Sequence, residues 1–176
     1  TYAKIDTISG ALTSYNDNDS GLGLIAGQVY YYKVSAENRD GEGEKSSSTY
    51  DYPSAVPDAP GSLSVNGYTG NSISLTWTSS IDNGDSIDYY HVYRSTNNID
   101  YSVIDSTSST GYVDNNGGSG LTEGQTYYYK VSAVNRDGEG LITTSVSEFP
   151  SAVPESPSSL NLSSYGDEFL SFSWAA

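Results

Sequence analysis

The sequence predicts an all-β chain of seven-stranded sandwich repeats in tandem, and three observations carry that expectation. The first is internal repetition. Gly27–Gly43 (GQVYYYKVSAENRDGEG) returns almost unchanged as Gly124–Gly140 (GQTYYYKVSAVNRDGEG), a displacement of 97 residues. The same displacement carries Pro53, Pro57 and Pro60 onto Pro150, Pro154 and Pro157, and Trp77 onto Trp174, which accounts for all 6 prolines and both tryptophans. A period of this length is a whole domain, whereas solenoids and propellers repeat every ~20–50 residues. The second observation is composition. Seventeen Tyr and 18 Gly occur with no Cys and no Met, and no run carries apolar residues at helical spacing. The third is punctuation, since short alternating runs rich in Tyr, Val, Ile and Thr are separated by Gly, Asn, Asp and Ser.

The one complete period, residues 53–150, reads as seven strands in order. Leu63 and Val65 mark the first, after Pro60. Ile73, Leu75 and Trp77 alternate with Ser and Thr in the second, and Tyr90 and Val92 face inward in the third. Tyr101 to Asp105 and Gly111 to Val113 are two short strands, Thr126 to Val134 is a long one, and Ile142 to Ser147 is the last. Asn66-Gly67, Asn83-Gly84 and Asn115-Asn116-Gly117-Gly118 supply residues that tolerate positive φ, and Arg136 to Gly140 is the final hairpin turn. Short antiparallel strands with a buried Trp on the second describe two sheets packed face to face.

Composition also bounds function. With 22 acidic residues against seven Lys and Arg, the formal charge is −15, which opposes binding to nucleic-acid phosphates. No apolar run approaches the ~20 residues that span a bilayer. The absence of Cys excludes disulfides and thiolate metal sites. His91 is the single histidine and falls outward on a strand, with no nucleophile-elbow sequence around any Ser, so no catalytic centre is expected. No cofactor is expected either. Asn16 to Asp19, Asp82 to Asp85 and Asp114 to Asn116 are oxygen-rich and leave calcium as the one candidate ion, but none follows the EF-hand spacing and Asx turns are the preferred explanation of all three.

Leu121-x-x-Gly124-x-x-Tyr127-x-Tyr129-x-Val131-x-Ala133-x-Asn135-x-x-Gly138 resembles the most recognisable segment of fibronectin type III domains. Pro57-x-x-Pro60, Leu75-x-Trp77 and Tyr90-His-Val-Tyr-Arg94 are similar to the same family, with Tyr127 at the place of its tyrosine corner. Glu123 and Ala26 stand where the family usually has proline before the glycine. The wording of Val-Tyr-Arg-Ser-Thr and Asn-Arg-Asp-Gly-Glu-Gly is similar to bacterial or environmental members. Arg-Gly-Asp, the adhesion tripeptide of one member, does not occur. The resemblance implies immunoglobulin-like sandwiches: residues 1–52 as the later strands of one repeat, 53–150 as a complete repeat, and 151–176 as the first two strands of a third.

Candidate sites lie on the surface. Alternation places Tyr128, Lys130 and Ser132 outward on the long strand, beside outward Tyr89, His91 and Tyr93, giving an exposed tyrosine patch for lateral packing, for sugar stacking or for cross-strand stabilisation. Asn18-Asp-Ser20 and Asn161-Leu-Ser163 are N-glycosylation sequons, making Asn18 and Asn161 candidate acceptors. Ser54-Ala-Val-Pro-Asp-Ala-Pro60, repeated from Ser151 to Pro157, forms a proline-stiffened junction. The expected role is a non-enzymatic extracellular or cell-surface stalk, spacer or filament subunit, whose partners are neighbouring repeats, other copies of itself, or glycans. Two alternatives stand beside it: accessory modules of a secreted polysaccharide-degrading enzyme, and a glycan- or ligand-binding adhesin.

Overall fold

The structure, a computed structural model, describes residues 2–175. Four short strands, β1 (Tyr30–Tyr32), β2 (Glu37–Asn38), β3 (Gly41–Glu42) and β4 (Thr49–Asp51), form the first region, β1 pairing with β4 and β2 with β3. The central region holds β5 (Gly61–Tyr68), β6 (Ile73–Thr78), β7 (Tyr89–Ser95), β8 (Ser102–Thr107), β9 (Gly111–Asp114), β10 (Tyr127–Asn135), β11 (Gly138–Glu139) and β12 (Val146–Glu148). The last region is the hairpin of β13 (Ser158–Tyr165) and β14 (Leu170–Ala175). All pairings are antiparallel, as short connections between successive strands require.

Two sheets make the central sandwich. One runs β5-β6-β9, and the other runs β11-β10-β7-β8 with β12 also paired to β10. Ile73, Leu75 and Trp77 alternate along β6 and so point one way, onto Tyr90, Val92, Tyr127, Tyr129, Val131 and Ala133 of the opposite sheet. Trp77 is 4% exposed and meets Tyr90 edge-on at 5.5 Å between ring centroids. Burial of these side chains stabilises by roughly 25 cal/mol per Å² of apolar surface.

The structure departs from the sequence reading in three places. Asn66-Gly67, expected as a turn, lies inside β5 at a register irregularity, and the chain turns after it, where Thr69 N–H donates to the Ser72 carbonyl at 2.9 Å. The last strand, expected over Ile142 to Ser147, is confined to β12 (Val146–Glu148), and β11 falls inside the expected Arg136 to Gly140 turn; between them the Thr143 amide donates to the Val131 carbonyl (2.9 Å) and the Thr143 hydroxyl accepts from the Val131 amide (3.0 Å). The same gap separates β3 from β4, where Ser46 N–H donates to the Val34 carbonyl at 2.9 Å and Val34 N–H to the Ser46 hydroxyl at 3.1 Å, so the interruption belongs to the repeated sequence. At Gly140 the linker passes close by, an added Cβ lying 2.0 Å from the Pro57 carbonyl oxygen. Ser132, expected outward, is fully buried, because Glu139 and the aromatic row of β7 cover it.

Many bonds of the central region recur 97 residues earlier. Thr122 N–H donates to the Tyr127 hydroxyl at 3.1 Å, and Ile25 N–H to the Tyr30 hydroxyl at 2.9 Å. The Tyr129 hydroxyl donates to Asp114 at 2.8 Å, and the Tyr32 hydroxyl to Asp17 at 3.0 Å. Asn115 and Asn18 cap matching single-turn 3-10 helices, Asn116–Gly118 and Asp19–Gly21. The hairpin β13–β14 keeps the register of β5–β6, including both irregularities, so that Tyr165 pairs Leu170 as Tyr68 pairs Ile73. Pairing is therefore written locally. Burial is not, since Trp174 is 62% exposed where its counterpart Trp77 is buried.

Replacing Trp77 by Ala should destabilise the central region by about 3–5 kcal/mol through lost packing and a cavity, while Trp174→Ala should stay within about 0.5 kcal/mol. Urea unfolding of the two variants, followed by circular dichroism, checks the contrast.

Candidate contact surface and buried polar centre

Register brings the expected surface residues together. Antiparallel pairing of β7 and β10 sets Lys130 opposite Tyr93, Ser132 opposite His91 and Val134 opposite Tyr89, and Tyr128 lies opposite Ser95 two places further on. Tyr89, His91 and Tyr93 form an edge-on row, with centroids 5.1 and 6.2 Å apart and interplanar angles of 67° and 76°. Tyr89 is 36% exposed, and His91, Tyr93, Tyr128 and Lys130 are half-buried. The Lys130 ammonium sits 4.4 Å over the Tyr101 ring, His91 shares a 2.9 Å hydrogen bond with Ser106, and the Tyr93 hydroxyl donates to Glu139. Burial pushes the Glu139 carboxyl up, but hydroxyl donation from Ser132 and Tyr93 outweighs it and holds the group below the usual carboxylate range. Successive rings stand near perpendicular, so this face lacks the coplanar row on which a sugar ring would lie.

The candidate acceptors sit elsewhere. Asn18 is exposed, and its side-chain carbonyl accepts from Gly21 N–H at 3.1 Å. Asn161 lies exposed on β13, its amide donating to the Ser159 carbonyl. The oxygen-rich runs are occupied by their own chain: Asp82 accepts from Gly84 N–H at 3.1 Å, Asp85 accepts from Arg136 N–H at 3.1 Å, and Asn115 caps its helix. Among the described residues no group of three His, Cys, Asp or Glu side chains converges.

One residue of the oxygen-rich runs is a buried charge that the sequence reading missed. Asp114 ends β9 only 1% exposed. Nη1 of Arg94 donates to both of its oxygens at 3.1 and 3.0 Å, Asn116 N–H adds a bond of 2.9 Å and the Tyr129 hydroxyl one of 2.8 Å. Arg94 also donates to the Asn116 side chain at 3.1 Å and lies 5.5 Å over the Tyr127 ring. Every oxygen is thus satisfied, the condition for keeping a carboxylate in an apolar interior. A signal did exist, because period-2 alternation from inward Tyr112 places Asp114 inward as well. Burial, then the bond to Asp114, pushes the Tyr129 phenol far up. Burial, then the Asp105 and Asp114 charges, pushes Tyr112 up to about 12.

The family model for the fibronectin type III domain matches residues 58–149, more than half of the chain. The chain belongs to the fibronectin type III family. Domains of this family are in general non-catalytic modules. Neogenin of Rattus norvegicus is 28% identical over 171 residues, covering 88% of this chain and 12% of the relative, and neogenin of Homo sapiens is 28% identical with 11% of its length covered. The chain therefore spans about a tenth of the length of these relatives. Among solved structures, titin domains A168–A170 align with a TM-score of 0.52 and 23% identity over 72% of this chain and 42% of that one. The titin kinase with its flanking domains aligns with a TM-score of 0.50 and 24% identity over 55% of this chain and 18% of that one. These two structures share the fold. Of the described residues, none forms a helix long and apolar enough to cross a membrane.

Two outcomes test the buried centre. Asp114→Ala should cost about 3–5 kcal/mol by stranding the Arg94 charge, read as a shift of the urea midpoint. A raised folded pKa means stability that is complete below the unfolded phenol value of about 10 and is lost as pH rises through the folded value. Alkaline titration followed by tyrosinate absorbance should therefore show Tyr112 ionising near 12 and Tyr129 later still, and Tyr112→Phe should remove the earlier of these two late phases.

Proposed function

We propose that this chain is a non-enzymatic extracellular structural segment in which fibronectin type III modules follow one another as a stalk, spacer or filament subunit. The observation that carries the reading is the joint between the first and central regions. Ala55 N–H donates to the Asn83 carbonyl at 3.1 Å and Asp58 N–H to the Ile81 carbonyl at 3.0 Å, so the linker lies against the loop between β6 and β7 like a further strand. The Asn83 amide reaches the Val56 carbonyl at 2.9 Å, and the Asn135 amide reaches the carbonyls of Ala55, Asp82 and Asp85 at 2.8, 3.2 and 3.2 Å. Such a segment holds direction instead of swivelling, as a spacer requires.

Recurrence of the same bonds at a spacing of 97 supports modules in series, and the charge of −15 supports an extended form, because like-charged modules resist folding back on one another. Neighbouring modules of the same chain are then the main partners. Lateral association into filaments would use the face of Tyr89, Tyr93 and Tyr128. The edge-on rings favour that contact over glycans and give the adhesin reading little support. Asn18, exposed on a loop, is the better placed glycan acceptor of the two sequons, and intact mass of the secreted protein reads its occupancy.

Electron micrographs of the full-length protein should show strings of beads at uniform spacing; dispersed single globules, or a catalytic domain making up most of the reading frame, would favour the accessory-module alternative. Changing Tyr89, Tyr93 and Tyr128 together to Ser should lower stability by roughly 0.2–1 kcal/mol per lost cross-strand pair. It should also reduce side-by-side association in sedimentation without shortening the beaded strings.

A further inference from the structure

Two glycines occupy one structural role in two settings. Gly27 has φ +75° and Gly124 φ +74°. The Gly27 N–H donates to the Pro53 carbonyl at 2.8 Å, and the Gly124 N–H to the Pro150 carbonyl at 2.9 Å. Each sits just after the amide that bonds the tyrosine-corner hydroxyl. Their surroundings differ. A Cβ on Gly27 would stand 3.4 Å from the Gly84 nitrogen, and one on Gly84 would stand 2.8 Å from the Gly27 nitrogen and 2.9 Å from the Pro53 oxygen. A Cβ on Gly124 would meet nothing within 4 Å.

The element seated on Gly27 is a tight turn from Asp82 to Asp85. Asn83 at φ +52° and Gly84 at φ +91° give it the left-handed pair of a type I′ turn. It is braced from behind by the Asn135 amide on two of its carbonyls and from the side by the Asn83 amide on Val56. A flat, braced, glycine-tipped turn meets a flat, glycine-tipped pole, so two backbones touch with no side chain between them.

We propose that the pole formed by Gly124, the Pro150 carbonyl and the linker beyond it is a docking site for the Asx-Gly turn of another sandwich module of this kind, seated as Asp82 to Asp85 seats on Gly27. Recognition is by shape and backbone polarity: only a turn with glycine at its tip comes close enough, which selects modules of this sequence type over unrelated sandwiches. This deepens the reading of modules in series and rests on it for its biological setting, while the chemistry of the pole is testable without it.

Asn tolerates the left-handed backbone of both glycines, so the substitutions Gly27→Asn and Gly124→Asn carry similar local strain and differ in what the new side chain meets. In the chain as it stands, Gly27→Asn should speed hydrogen exchange of the Ala55 amide at least tenfold, and Gly124→Asn should leave it unchanged. Exchange at the Val131 amide in the core reports that both variants remain folded. In a chain lengthened after Ala176 by a copy of residues 80–150, the Ala152 amide should become at least tenfold more protected, and Gly124→Asn should abolish that gain. Equal effects of the two variants on Ala55, or no gain at Ala152 in the lengthened chain, overturn the proposal. A full-length protein with no further module would overturn the serial reading and leave these outcomes as they are.

Discussion

A β-sheet with one apolar face is stable only when a second sheet covers it, and that constraint organises this chain. In the central region β6 delivers Ile73, Leu75 and Trp77 to one side, β7 and β10 deliver Tyr90, Val92, Tyr129 and Val131 to the other, and both rows close on each other. The hairpin β13–β14 has the same local pairing and an equivalent apolar row, yet Leu160, Leu162, Phe172 and Trp174 stay exposed, with no facing sheet among the described residues. Hydrogen-bond register is thus a property of a few neighbouring residues, while a core is a property of two layers.

The acidic character of the chain makes the handling of Asp114 informative. Most carboxylates here lie on loops and cost nothing to hydrate, but this one is enclosed between sheets with a guanidinium, a phenol and a backbone amide around it. Such a centre adds little net stability over an apolar replacement of the same shape. What it adds is geometry: Arg94 on β7, Asp114 on β9 and Tyr129 on β10 are tied together across both sheets, so slippage of any of these strands breaks at least one charged bond.

Much of this was legible in the sequence, and the residues show why. Trp77, Tyr127 and Tyr129 were readable as interior because alternation has one period in a strand and the repeat shows the pattern twice. Tyr89, His91, Tyr93, Tyr128 and Lys130 were placed on one face for the same reason, and register unites them. Ser132 escaped because its burial depends on Glu139 folding back over the sheet, a contact that alternation does not encode. The interruption of the last strand escaped because it rests on the Thr143 hydroxyl and amide replacing ladder bonds to Val131, as Ser46 does to Val34, which alternation does not encode. Asp114 lay on the readable side of that boundary, since its inward phase follows from Tyr112, but a carboxylate is normally assigned to water unless its cation is already known.

The way residues 53–58 are held has a mechanical consequence. Their bonds to Asn83, Ile81 and Asn135 run across the linker and are spread along it, with Gly140 and Pro57 in close contact alongside. Tension that passes along this segment is therefore shared among several bonds to the central sandwich before it reaches β5.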